Sequence, residues 1–95
     1  MACFIVFDID VHDPAGYEEY RRLGAPTVAD YGGRFVVRGG VAENLEGNWS
    51  PSRVVVLEFD SAERARAWYA STEYQTAKAV RDRTAHSIGI IVQGI

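Results

Sequence analysis

The sequence has a single cysteine, Cys3, which can form no internal disulfide and supplies no set of metal ligands. The expected compartment is therefore the cytoplasm. Only three prolines stand against 47% hydrophobic residues, a balance that excludes disorder and points to a packed core. Basic runs are missing: ten Lys and Arg are scattered and the net charge is −3. That excludes the electrostatic footprint of a nucleic-acid binder. Long apolar runs are missing too. The opening Ala2-Cys3-Phe4-Ile5-Val6-Phe7 stops at Asp8, far short of a membrane span or a signal-peptide core, and no basic region precedes it.

Motifs are equally scarce. There is no G-x-x-x-x-G-K-[ST], no G-x-G-x-x-G, no G-x-S-x-G and no metal-ligand spacing, so neither a metal nor a cofactor is expected. The glycine pairs of YGGRFVVRGG are no phosphate loop, because the stretch leads into a strand rather than a helix.

What is present is clear periodicity in 95 residues, the length of one domain, 1–95. Residues 2–11 alternate, with Cys3, Ile5, Phe7 and Ile9 facing one way and Phe4, Val6, Asp8 and Asp10 the other. Asp13-Pro14 predicts an N-cap and first helical residue. Tyr17, Tyr20, Gly24, Val28 and Tyr31 share one helical face, Pro26 predicts a kink or break near Gly24, and Gly32-Gly33 predicts the end. Strands are predicted over 34–41 and 53–59, joined by a loop with Trp49 and Pro51. Asp60-Ser61-Ala62-Glu63 caps a second helix with Ala62, Ala65, Trp68 and Tyr69 on its buried face, and Ser71-Thr72 restarts it. A last strand covers 86–93.

Strand–helix–strand–strand–helix–strand is the ferredoxin-like α+β arrangement, a four-stranded antiparallel sheet with helices on one face. The other face would carry Phe4, Val6, Val36, Val54, Val56 and Ile91 with nothing in the chain to cover it. An apolar face of that extent marks an association surface, and a homodimer joined through the open sheet face is expected.

Two groups of residues are candidates for chemistry. Taking the first and third strands as parallel, Asp8, Asp10, Glu58, Arg34 and His86 converge at one sheet end, with Arg38 on the same face as Arg34. Such a cluster shifts pKa values and suits acid–base work, or its members satisfy one another as ion pairs at a dimer interface. The second group is aromatic: Tyr17, Tyr20, Trp68, Tyr69 and Tyr74 are core at helical spacing, or they roof a cleft for a small hydrophobic ligand. Cys3 reads as inert packing.

YEEYRRLGAPTVADYGGRFVVRGG and VVVLEFDSAERARAWYASTEYQTAKAVR together resemble the bacterial domain-of-unknown-function family 1330 across nearly the whole chain. The resemblance implies a dimeric α/β barrel and draws attention to Arg38, Glu58, Trp68, Tyr74 and Arg81 at matching positions. His86 and the Asp8/Asp10 pair lie outside that pattern. The wider superfamily hosts cofactor-free monooxygenases, isomerases and decarboxylases beside binding and stress proteins. Two functions follow as expectations: a cofactor-free enzyme on a small aromatic or oxygenated metabolite, or a non-catalytic binding dimer.

Overall fold

In the computed structural model, which describes all 95 residues, the elements run β1 (Cys3–Val11), α1 (Pro14–Asp30), β2 (Arg34–Arg38), β3 (Val54–Phe59), α2 (Ala62–Ala70), α3 (Thr72–Thr84) and β4 (Ala85–Gln93). The predicted strands over 34–41 and 53–59 are thus trimmed to β2 and β3. Caps form where the sequence places them. Asp13 accepts from Gly16 N at 3.1 Å, and the Ser61 and Ser71 hydroxyls accept from Arg64 N and Tyr74 N. Each such cap stabilises its helix by about 1 kcal/mol. α1 ends in paired bonds from Gly32 N to Ala29 O and Gly33 N to Val28 O. These require the left-handed backbone that Gly32 adopts at φ 76°.

The kink or break that Pro26 predicts near Gly24 does not interrupt the helix; α1 is one helix of 17 residues. Pro26 and Arg22 both lie on the exposed side, so water can satisfy the Arg22 carbonyl that proline leaves without its N–H.

The sheet order is β2-β3-β1-β4 with every neighbouring pair antiparallel. β1 therefore runs with β2 and against β3, which corrects the parallel placement of the first and third strands. The core takes Cys3, Ile5, Phe7 and Ile9 from β1, Val55, Leu57 and Phe59 from β3, and Val28, Trp68, Tyr74 and Ala77 from the helices. β1 thus alternates as its sequence demands, and Cys3 is fully buried packing.

Two parity details differ from expectation. The chain passes from α3 into β4 with no loop, and Ala85 is buried, so residues 85, 87, 89 and 91 face the helices. Ile91 pairs with Ile5 on that side, whereas Ile88, Ile90 and Val92 occupy the open face at 70%, 61% and 44% exposure. In β2, Arg34 pairs with Glu58 and Phe35 with Leu57, but Val37 pairs with Val56 and Arg38 with Val55. A β-bulge at Val36 absorbs one residue and turns everything after it over.

Candidate functional site

The charged residues do not gather into one cluster. Arg34 Nη2 and Glu58 Oε1 pair at 2.8 Å on the open face, level with Phe4. Asp8 lies four residues farther along β1, about 13 Å away at strand rise. His86 pairs with Asp10 on the open face at that farther end, its ring 5.1 Å from that of His12. The antiparallel setting of β1 and β3 sends the two groups to opposite ends. Arg38, after the bulge, faces the helices, with its guanidinium 4.1 Å from the centre of the Phe35 ring.

Asp8 is committed to the loop between β2 and β3. Its carboxylate accepts from Trp49 Nε1 at 2.9 Å, Ser52 N at 2.9 Å and Arg53 N at 3.2 Å. Burial alone would raise its pKa, but these three donors outweigh burial and hold the carboxyl below its ordinary range. The arrangement ties down the loop and leaves little free basicity.

The aromatic set divides by volume. Tyr17, Trp68 and Tyr74 are 6%, 1% and 0% exposed. Trp68 and Tyr74 stack at 4.0 Å, and Trp68 Nε1 donates to Thr27 Oγ1 at 2.9 Å, which donates to Gly24 O. Between α1 and the sheet only about 30 Å³ remains, the room of a single water. These rings are core walls, and in this conformation no metabolite fits among them.

Behind that wall is Arg81, 4% exposed, the functional feature that burial statistics argue against most strongly. Its Nη1 donates to Tyr74 Oη at 2.8 Å, and Tyr74 Oη lies 3.0 Å from Tyr20 Oη. Guanidinium only donates, so Tyr74 Oη accepts from Arg81, and its second bond joins it to the Tyr20 hydroxyl. Burial pushes the Tyr74 phenol far above its ordinary value, so it stays neutral. Burial opposes the Arg81 charge, yet the oxygens of Tyr74, Tyr20 and Asp82 more than offset that and raise its pKa. The group is permanently cationic. Its nearest carboxylate, Asp82, stands 3.7 Å away and is half exposed, and Arg81 Nε has no partner. The Phe7 ring, 4.9 Å from the guanidinium, supplies the remaining contact.

Arg81 lines a groove of about 650 Å³ between α2–α3 and β4. Ile5, Phe7 and Ile91 form its apolar floor, Tyr69 stands on one wall at 39% exposure, and Arg66 and Lys78 add positive charge. Gly89 opens it: a Cβ there would lie 2.5 Å from Phe7 Cδ1. Sequence reasoning missed the groove, and its one signal was a glycine inside the β-branched run Ile88-Gly89-Ile90-Ile91. No three His, Cys, Asp or Glu side chains are placed to hold a metal, and no helix is long and apolar enough to cross a membrane.

Over residues 2–95 the chain matches the family described as domain of unknown function (DUF1330). No curated protein matches it. Among solved structures it is similar to a protein of unknown function from Rhodopseudomonas palustris, at 18% identity over 99% of this chain and 82% of that one, with a TM-score of 0.79. It is also similar to SnoaB, a cofactor-independent oxygenase from Streptomyces nogalater, at 18% identity over 99% and 93%, TM-score 0.71. A third, a dimeric protein of unknown function and ferredoxin-like fold from Bacteroides fragilis, is 10% identical over 98% and 96%, TM-score 0.65. These likenesses show the ferredoxin-like fold.

Proposed function

The chain belongs to the DUF1330 family, and from that footing we propose that it is a cytoplasmic homodimer, one domain per chain, that binds a small oxygenated, largely apolar acid in the groove between α2–α3 and β4. The observation that carries the reading is Arg81. A buried cation with no full counter-ion, at the base of a groove whose volume falls within the ~300–1,000 Å³ of ligand pockets, is a receptor for an anionic head group. The apolar floor of Ile5, Phe7 and Ile91 suits an aromatic or short aliphatic body.

Dimerisation through the open sheet face is supported by Val56, Ile88, Ile90 and Val92, an apolar surface with no cover of its own. In that assembly Arg34–Glu58, Asp8 and His86 belong to the interface rather than to catalysis. A second reading, a cofactor-free enzyme, is favoured by Arg81, held in place by Tyr74 where it lines the groove. A fixed guanidinium in that groove can steady a developing oxyanion. In either reading Tyr17 and Trp68 line the narrow cleft under α1 and not the groove.

The test is a titration of the dimer with salicylate followed by backbone amide resonances, alongside native mass spectrometry. Saturable shifts at Gly89, Ile91 and Arg81 in a dimeric protein are expected, with Ile90→Asp giving monomer. Shifts absent from the groove across a panel of aromatic and aliphatic carboxylates would sink the binding reading. A monomeric wild-type protein would sink the interface.

A further inference from the structure

The bulge in β2 has a second product, at the other side of the aromatic wall. By turning Arg38 onto the helix side opposite Val55, it brings that guanidinium to the mouth of the narrow cleft under α1, which Arg53 and Arg21 also line. Arg21 is engaged with Glu18 in an exposed pair at 3.0 Å. Arg38 and Arg53 take part in none of the ion pairs of the molecule. Each lies instead over a ring, Arg38 over Phe35 at 4.1 Å and Arg53 over Tyr17 at 6.0 Å. Stacked on Phe35, the Arg38 guanidinium keeps its N–H fork pointed edgewise, the orientation that oxyanions recognise. Arg53 Nε is buried and has no acceptor.

We propose that this mouth is a second small-molecule site, separate from the groove, that takes a compact dianionic oxyanion between Arg38 and Arg53 with Arg21 at its rim. The size of the cleft decides the ligand class. With about 30 Å³ behind the arginines, no apolar body can enter, so recognition falls on the charged head alone. Three guanidiniums against one exposed carboxylate, in a chain whose net charge is −3, concentrate positive potential where the rest of the molecule has the opposite sign. A small rotation of the Arg53 side chain turns its unpartnered N–H onto the anion. A phosphoryl group and a dicarboxylate share this chemistry.

The experiment follows the arginine Nε–H resonances of the full chain during titration with inorganic phosphate and, separately, succinate, with chloride at matched ionic strength as reference. Saturable shifts of Arg38 and Arg53 are expected, with affinity falling tenfold or more in Arg38→Gln and Arg53→Gln and holding in Arg83→Gln, a remote surface change. A response to phosphate alone identifies a phosphoryl head, and a response to succinate alone or to both identifies a carboxylate-competent site. Shifts that chloride reproduces, or that Arg83→Gln weakens equally, overturn the proposal. Should Arg53→Gln fail to fold, the exposed Arg38→Gln decides alone.

Discussion

Replacing Arg81 with methionine separates binding from stability. The wild-type guanidinium contributes one charge-assisted hydrogen bond to Tyr74, worth about 1.5–3 kcal/mol, and an aromatic contact with Phe7, worth about 0.5–2 kcal/mol. Against these stands the cost of burying an incompletely paired cation, several kcal/mol by general experience. Methionine keeps the unbranched stem and its packing, and Tyr74 keeps Tyr20 as its partner, so no buried hydroxyl is orphaned. The terms nearly cancel. Arg81→Met is expected to change stability by no more than about 1 kcal/mol in either direction, a Tm shift within roughly 4–8 °C for a chain this size. Salicylate affinity, by contrast, loses its charge-assisted contact and should fall roughly tenfold to a hundredfold. Circular-dichroism melts and calorimetric titration read the two quantities independently. A loss of about 3 kcal/mol or more with little change in affinity would show that Arg81 is a structural cation, and the groove reading would go with it.

Asp8→Asn should release the β2–β3 loop, because an amide cannot accept all three of the donors that Asp8 now holds; faster proteolysis between Val41 and Ser52 checks it. Because the folded pKa of Asp8 is lowered, its contribution is present above the unfolded value of ~3.9 and is lost as pH falls through the folded value. Emission from Trp49, the exposed tryptophan, should therefore hold through mildly acidic pH and change only below about 4 in the wild type. Gly89→Ala puts a methyl against the Phe7 ring, so it should cost about 1–3 kcal/mol and weaken salicylate. An unchanged Tm and affinity would mean that Gly89 does not shape the groove.

Element order, all three helix caps and the alternation of β1 were legible because each rests on local chemistry: Asp13 before Pro14, Ser61 and Ser71 before helical runs, Gly32 past the last turn. The family was legible from ordered blocks across the chain. What was not legible depends on counting through contacts that the sequence does not contain. Nothing in Arg34-Phe35-Val36-Val37-Arg38 marks Val36 as the residue that a neighbouring strand will skip, so Arg38 was assigned to the wrong side. Strand direction decided the fate of the acidic and basic residues: with β1 set against β3, Asp8 and Glu58 part company. Pro26 predicts a kink or break in sequence alone because its solvent-facing setting emerges only once α1 is packed. The groove escaped because its wall is Arg81, a residue type that burial statistics place outside.

The bulge at Val36 also acts as a sorting device. Upstream of it, Arg34 points to the open face of the sheet; downstream, Arg38 points to the helix side. Pairing Val36 in register instead of skipping it would leave composition and charge untouched, yet send Arg38 across the sheet. One skipped residue in an edge strand thus keeps two surfaces chemically independent, and a lineage that paired it would have to redesign both.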